Sequence, residues 1–280
     1  MKTVVITRFS LNYGTNFNTT ENKKKRESWF KFRSDLYING PFQSLINNSK
    51  QPNKVMLFFE DGDQTLVDKY LKFAISTSLT SIDFVFLFSS LENQIDDLYQ
   101  ELRNFHGMPI IISRLDSDDL IPNNYFQKLE EFNKKECDIH LIAAKGFATD
   151  FNKIAEFYHD KSPFLNTYLE NLSRSSIEFH FINHTKVKNF NHFVMEELEY
   201  CQIIHKTNIS NSIPPFYYPF LNRLILPLRI LSRRGQNYKI HFKSIKKFKS
   251  EYLNGFGLED NQISKLMKTI REFNTLDCAD

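Results

Sequence analysis

The chain has 280 residues, and its 41% hydrophobic and 15% aromatic content excludes an intrinsically disordered protein. A formal net charge of +3 is too small to indicate nucleic-acid binding, so we expect no nucleic-acid partner. Three scattered cysteines and the lack of a long apolar run predict a soluble or peripheral protein in a reducing compartment.

The first half of the chain alternates apolar runs with helical patterns. The runs predict buried strands at 4–7, 54–59, 84–88 and 109–113. Apolar residues spaced near 3.6 predict helices between them, over 29–37, 66–74 and 95–105. This alternation indicates right-handed βαβ units, so we predict an α/β fold with a mostly parallel sheet flanked by helices.

The second half of the chain is less regular. Its patterns predict a helix over 126–132, a strand over 139–143, and helices over 163–172 and 193–203. The clearest break is Pro214-Pro215 together with Pro219. We therefore expect a main domain over 1–212 and a basic, mostly helical C-terminal extension over 213–280.

Polar residues follow three of the predicted strands. Arg8 ends the first strand, Asp61 follows the second, and Asp116 and Asp118 follow the fourth. Ligands of parallel sheets bind outside the carboxyl ends of the strands, where these residues would meet at one edge. The sequence therefore predicts a ligand site at that edge.

The acidic segment Asp116-Ser117-Asp118-Asp119 favours a metal site. In an extended chain Asp116 and Asp118 face the same way and can reach one divalent cation. Carboxylate oxygens that leave room for water and phosphate suit Mg²⁺ or Mn²⁺. The alternative is a solvated acidic turn in which Asp119 helps to start the next helix.

Other sites for nucleotides and metals lack their sequence signatures. The first strand is not followed by a G-x-G-x-x-G segment, and the chain contains no P-loop. The spacing of an EF-hand, a G-x-S-x-G elbow and an H-E-x-x-H motif are also missing. What remains is a metal-assisted reaction on a phosphorylated donor.

The acidic segment carries a resemblance to a known family. Arg-Leu-Asp-Ser-Asp-Asp at 114–119, followed by Leu-Ile-Pro-Asn-Asn-Tyr-Phe-Gln-Lys-Leu, resembles the D-x-D segment of GT-A-type glycosyltransferases. Over residues 3–212 the chain is most similar to the bacterial rhamnosyltransferase family. The other matches are Thr7-Arg8-Phe9, Trp29-Phe30 with Arg33, Gln43, Phe59-Glu60-Asp61, Pro163-Phe164-Leu165 with Glu170, and 202–208. That last stretch resembles the family's Gln-x-x-His-Gly-x-Asn segment, with Lys206 in place of the glycine.

The resemblance implies a GT-A-like, Rossmann-related glycosyltransferase of polysaccharide biosynthesis. It would move a sugar from a nucleotide-diphosphate donor to a glycan or lipid-linked acceptor. Asp118 would be the main ligand of Mn²⁺ or Mg²⁺, Asp116 would contact the metal or the ribose, and His205 would complete the coordination. The alternative for His205 is a surface histidine in a loop.

The resemblance also implies residues for the nucleotide and for proton transfer. Arg8 and Asp61 would line the nucleotide pocket, and Arg114 would pair with a phosphate or base or form a salt bridge to a neighbouring aspartate. An inverting transfer needs a carboxylate to deprotonate the acceptor hydroxyl. Glu196 and Glu197 are the preferred candidates for this base, and the others are Asp150 and Glu170.

The basic stretch 220–249 suggests where the protein acts. It combines apolar residues with lysine and arginine, a pattern that fits either peripheral contact with an anionic membrane or a helix packed on the domain. We expect a cytoplasmic protein, with docking on the inner membrane face as one hypothesis. Two other functions remain open, a nucleotidyltransferase and a non-catalytic carbohydrate- or nucleotide-binding scaffold on a degenerate transferase fold.

Overall fold

Four parallel strands form the first half of the sheet. The computed structural model of the chain describes residues 1–10, 20–90, 92–132, 138–159, 164–181, 184–205 and 241–276. Strands β1 (Lys2–Arg8), β2 (Lys54–Phe59), β3 (Asp83–Phe88) and β4 (Ile110–Arg114) lie in the order β3-β2-β1-β4. All neighbours among them are parallel, which confirms the predicted α/β fold class.

Helices cover both faces of these strands. They are α1 (Thr20–Asn39), α2 (Pro41–Ile46), α3 (Gln64–Val67), α4 (Phe73–Ser76) and α5 (Gln94–Leu102). Successive strand residues point to opposite faces, so Val5 packs with Tyr37 of α1 while Ile6 packs with Leu98 of α5. The two helical layers thus leave the carboxyl ends of the strands at a common edge.

The second half of the sheet is mostly antiparallel. Its elements are β5 (Asp119–Leu120), α6 (Tyr125–Glu131), β6 (Ile139–Thr149), β7 (Lys153–Tyr158), β8 (Leu165–Leu169), α7 (Arg174–His180), β9 (His192–Ile203), β10 (His241–Lys247) and α8 (Asp260–Leu276). Beyond β4 the sheet continues through β8, β6, β7 and β10, each antiparallel to its neighbour. Strand β9 pairs in parallel with β6 and antiparallel with β5.

Two predicted helices of the second half are wrong. Residues 165–169 of the first form β8, which lies between β4 and β6 with all five residues buried. Residues 193–203 of the second belong to β9. Short apolar runs do not distinguish a buried strand from a helix by their spacing, and here the pairing with neighbouring strands decides.

The C-terminal part of the chain adds to both the sheet and the helical layer. Strand β10 pairs with β7, and Phe273 of α8 stacks on Phe32 of α1 with 3.8 Å between ring centroids. The C-terminal helix of the prediction is therefore present. The boundary at 212/213 and most of the basic stretch 220–249 lie outside the described residues. Within the described ranges, no helix is long and apolar enough to cross a membrane.

Candidate functional site

Arg8 and Arg114 end two strands at the point where the strand order reverses. From β1 the chain winds outward through β2 to β3 and then returns to β4 on the other side of β1. The crevice between β1 and β4 is therefore the topological switch point, where open α/β sheets bind their ligands. Ile6 pairs with Arg114, so Arg8 extends two residues beyond that pairing on the same face.

The two arginines form a basic pair with little compensating charge. The Arg8 guanidinium lies over the ring of Phe181 at 5.3 Å, and the Arg114 Nε is 3.8 Å from the Asp116 Oδ1. Burial and the charge of Arg114 lower the pKa of Arg8 to about 10. In both arginines the Nε is buried without a hydrogen-bond partner among the described residues. Such a pair favours an anionic ligand, because an anion would supply both the missing charge and the missing acceptors.

The acidic turn after β4 sends its side chains in two directions. Asp116 is oriented towards Arg114, as the salt-bridge alternative anticipated, and its carbonyl accepts a hydrogen bond from the Asp119 amide at 3.1 Å. Ser117 and Asp118 instead contact Arg33 of helix α1. The turn thus separates the basic pair from a second cluster, and the sharing of one cation by Asp116 and Asp118 remains a prediction.

The second cluster joins Asp118 to His205, the two residues for which the resemblance implies metal ligation. The His205 Nε2 lies 3.1 Å from the Asp118 Oδ2. The Arg33 Nη1 lies 3.2 Å from the same oxygen and 2.9 Å from the same nitrogen. The His205 Nε2 and the Asp118 Oδ2 therefore both contact the same nitrogen of the Arg33 guanidinium.

Burial and charge determine the protonation of this cluster. Burial disfavours the charged form of Asp118, but Arg33 and the hydrogen bond with His205 hold the pKa of the carboxyl below its usual value. Burial lowers the pKa of His205 although Asp118 opposes it, Arg33 adds to the lowering, and the neutral ring is favoured. Because a guanidinium only donates and a carboxylate only accepts, the His205 Nε2 accepts from Arg33 when the ring proton lies on Nδ1 and donates to the Asp118 Oδ2 when the proton lies on Nε2. In the tautomer with the proton on Nδ1, the Nε2 lone pair points at the position that the Arg33 Nη1 occupies.

Asp118 and His205 fit a divalent cation. Two ligands at right angles, each about 2.1 Å from a metal, lie about 3 Å apart, close to the separation of the Asp118 Oδ2 and the His205 Nε2. Carboxylate oxygen and neutral imidazole suit Mn²⁺, and Mg²⁺ commonly takes only one or two protein ligands beside substrate phosphates. The described part of the chain contains no group of three or more histidine, cysteine or acidic side chains that would form a complete protein site. The remaining ligands would have to come from substrate and water.

At the end of β2 the buried acid is Asp63 and not Asp61. Asp61 is exposed in the short helical turn Asp61–Asp63, whereas Asp63 accepts hydrogen bonds from the Ser10 Oγ at 2.5 Å and from the Arg26 Nε at 3.2 Å. Arg26 also bonds Asp63 through Nη2. Asp61 is still placed after a strand of the switch-point half, so its contact with a nucleotide remains a prediction.

The predicted catalytic bases lie along β9. Glu196 and Glu197 are both exposed, and the Glu197 carbonyl accepts a hydrogen bond from the Lys128 Nζ at 2.6 Å. Gln202 is the β9 residue that pairs with Asp119, five residues beyond Glu197 or about 17 Å of strand. The structure thus does not bring these glutamates next to the acidic turn. Asp150 follows Thr149, which pairs with Ile203 near His205, but its Oδ1 accepts two backbone amides of its own turn.

Sequence reasoning gave no role to three polar side chains of this region that are buried or largely buried. Arg26 and Arg33 lie on the buried face of α1, and two arginines within an apolar stripe were the available signal. His180 of α7 is the third, and its Nδ1 is 2.8 Å from the Thr167 Oγ1. Burial, with further contributions from nearby charges including Arg114 and Arg8, lowers the pKa of His180 and keeps it neutral beside the basic pair. Its approach to β4 depends on packing and has no local sequence signal.

Comparisons with known proteins give weak similarities in fold. Neither the protein-family models nor the curated proteins contain a match. Among solved structures, S. aureus TarS (residues 1–349) aligns at 14% identity and a TM-score of 0.38, over 72% of this chain and 60% of that one. The inositol-1-phosphate CTP transferase of T. maritima aligns at 12% identity and a TM-score of 0.33, over 72% and 89%. A protein of Desulfovibrio desulfuricans G20 assigned as a nucleotide-diphospho-sugar transferase aligns at 12% and 0.37, over 98% and 99%. The function proposed below rests on this chain's own residues.

Proposed function

We propose that this protein is a glycosyltransferase that moves a sugar from a nucleotide-diphosphate donor to a glycan or lipid-linked acceptor. The observation that carries the proposal is the arrangement at the switch point. A basic pair, Arg8 and Arg114, lies on one side of the acidic turn, and Asp118 lies with His205 on the other. A diphosphate needs cationic partners, and a divalent cation needs hard ligands that leave positions open for phosphate oxygens. The resemblance to rhamnosyltransferases supports rhamnose as the first sugar to test.

Each group of residues has a role in this reaction. Arg8 and Arg114 would bind the diphosphate, with Asp116 and Asp61 towards the ribose and base. Asp118 and His205 would hold Mn²⁺ or Mg²⁺, which when bound offsets charge that develops on the nucleoside diphosphate as it leaves. The acceptor hydroxyl attacks the sugar carbon, the bond to the diphosphate breaks, and a carboxylate takes the hydroxyl proton. Glu196 and Glu197 remain the predicted base for that step.

The proposed location of the enzyme in the cell depends on whether the acceptor is lipid-linked. A lipid-linked acceptor would require the enzyme to work in the cytoplasm at the inner membrane face, with peripheral contact through 220–249. Flotation of the protein with vesicles that contain anionic lipid, and loss of flotation with neutral vesicles, would support this contact. Flotation that is independent of anionic lipid, or that fails throughout, would remove it from the proposal.

A thermal-shift titration tests the donor site without knowledge of the acceptor. Wild type, Asp118→Ala and the exposed control Asp68→Ala are titrated with UDP, dTDP, GDP and CMP sugars in Mn²⁺, Mg²⁺ or EDTA. A ligand that binds only the folded state raises the melting temperature by mass action. We expect a metal-dependent shift with one nucleotide class, retained in Asp68→Ala and lost in Asp118→Ala.

Other outcomes select the rival functions. A shift with nucleoside triphosphates together with pyrophosphate release would indicate a nucleotidyltransferase. A nucleotide shift without any product from a broad panel of donors and acceptors would indicate a non-catalytic binding protein. No shift with any nucleotide would contradict the donor site itself.

A further inference from the structure

Arg33 occupies the position at which the predicted metal ligands meet. Its Nη1 lies within hydrogen-bond distance of both the Asp118 Oδ2 and the His205 Nε2, at 3.2 and 2.9 Å. Its Nη2 bonds the Ser117 hydroxyl, and its guanidinium lies 6.0 Å from the centre of the Trp29 ring. The guanidinium is therefore already the cation of this site.

A divalent cation and this guanidinium cannot share the same lone pairs. Asp118 and Arg33 are both largely buried, with side chains 11% and 12% exposed, so solvent screens their charges only weakly. Adding two positive charges beside the guanidinium is opposed by strong repulsion. A metal that binds Asp118 and His205 must therefore displace Arg33.

The displaced guanidinium needs an acceptor, and a diphosphate is a suitable one. The Arg33 Nε is buried without a hydrogen-bond partner among the described residues, so its fork is only partly satisfied in the present contacts. Phosphate oxygens accept two parallel hydrogen bonds from one guanidinium, which is a better match than a shared carboxylate oxygen and a ring nitrogen. The donor diphosphate can therefore bind Arg33 when the metal binds Asp118 and His205.

We propose that Arg33 competes with the divalent cation for Asp118 and His205, and thereby makes metal binding depend on the nucleotide donor. The proposal rests on the donor site proposed above. The free protein binds the cation weakly because Arg33 fills its site. The donor diphosphate draws Arg33 away, so that cation and donor bind together and each raises the affinity for the other by the same factor. Arg33 is a positioning residue in this scheme.

Binding of Mn²⁺ to the protein alone gives the direct test. Free Mn²⁺ is measured by electron paramagnetic resonance during titration of wild type, Arg33→Met and Arg33→Lys. We expect Arg33→Met to bind Mn²⁺ at least about tenfold more tightly than wild type, because one positive charge has left the site. Arg33→Lys retains the charge and stays near wild type. Structural damage alone would weaken binding, so a gain in affinity is specific to competition.

The same titration with UDP, GDP, dTDP or CDP tests the coupling. The nucleotide should raise the Mn²⁺ affinity of wild type by a larger factor than that of Arg33→Met. Asp118→Asn supplies the baseline, because nucleotides also chelate Mn²⁺ in solution. Equal Mn²⁺ affinities of wild type and Arg33→Met, or weaker binding by the variant, would overturn the competition. No Mn²⁺ binding by any form would overturn it too, and a nucleotide thermal shift in EDTA would then show whether the donor site survives.

Discussion

Helix α1 supplies two arginines that each reach a buried aspartate at a strand end, and the two pairs differ in geometry, because one is bidentate and the other is not. Arg26 and Arg33 are seven residues apart, about two helical turns, and so lie on the same face. Arg26 contacts both oxygens of Asp63 through two different nitrogens, and Ser10 bonds one of the same oxygens. Arg33 contacts one oxygen of Asp118 through Nη1, and the same Nη1 also contacts the His205 Nε2.

Burial does not distinguish the two pairs, so we propose that the bidentate geometry marks the structural ion pair and the single shared oxygen marks the pair that can exchange partners. Asp63 is 4% exposed and Asp118 is 8% exposed, so both residues are buried. A bidentate pair with a further hydroxyl donor is stable in its present contacts, so its members do not readily exchange partners. A pair that shares one nitrogen between two acceptors can exchange that nitrogen for a metal.

Breaking the bidentate pair should have the largest effect on stability. Asp63→Asn removes the bidentate carboxylate of the buried Arg26 and leaves its salt bridge to Glu60, 3.3 Å long, so we expect a loss of about 3–4 kcal/mol in the free energy of unfolding. Urea unfolding at neutral pH measures it. The exposed neighbour provides the control, since Asp61→Asn should change stability by less than about 0.5 kcal/mol. Similar losses for both variants would refute the structural role of the Arg26 pair.

Breaking the Arg33–Asp118 pair should lower the free energy of unfolding by a smaller amount. In Asp118→Asn the Arg33 guanidinium keeps Ser117 and His205 as partners, so we expect a loss of about 1–3 kcal/mol by the same urea measurement. The variant should also lose metal-dependent nucleotide binding, which Asp63→Asn should retain at temperatures where it is folded. A larger stability loss for Asp118→Asn than for Asp63→Asn would reverse the comparison.

The buried carboxyl of Asp119 should make the stability of the same region depend on pH. Burial and the charges of Asp118 and Asp116 raise its pKa well above the usual 3.8, so the folded state holds this proton more tightly than the unfolded state. Its stability contribution is complete below pH 3.8 and is lost as pH rises through the folded-state pKa. Asp119→Asn should therefore raise the free energy of unfolding by on the order of 1 kcal/mol at pH 7 to 8.

That gain should disappear near pH 4. Thermal unfolding of wild type and Asp119→Asn across pH 4 to 8 measures the difference. A variant that is less stable than wild type at neutral pH would show that the Asp119 carboxylate is compensated in the fold, contrary to its raised pKa.

A substitution in the basic pair should have the smallest effect on stability. It should raise the free energy of unfolding and weaken nucleotide binding. Arg8→Gln removes a guanidinium whose pKa is lowered by burial and by Arg114, so we expect it to raise stability by up to about 1 kcal/mol. It should weaken nucleotide binding, because one phosphate partner is lost. Unchanged nucleotide affinity in a thermal-shift titration would remove Arg8 from the donor site.

The candidate site could be predicted in part because some of its residues have local signals. Arg8, Asp116 and Asp118 follow apolar strands, and the alternation of strands with helices places such ends at one edge. The helices predicted over 163–172 and 193–203 failed because short buried runs fit either periodicity. The predicted helix over 193–203 would lead from Glu196 and Glu197 towards His205, whereas β9 places both glutamates at exposed positions of a strand.

The sequence by itself determined the parallel half of the sheet and the position of the acidic turn, because side-chain periodicity follows from backbone geometry within a few residues. Only the tertiary structure decided what the turn contacts. His205 and Arg33 reach Asp118 across 87 and 85 residues of chain. Their approach depends on the register of β9 against β5 and on the packing of α1 against the sheet. Such long-range contacts are fixed by burial of the whole core, and no local pattern records them.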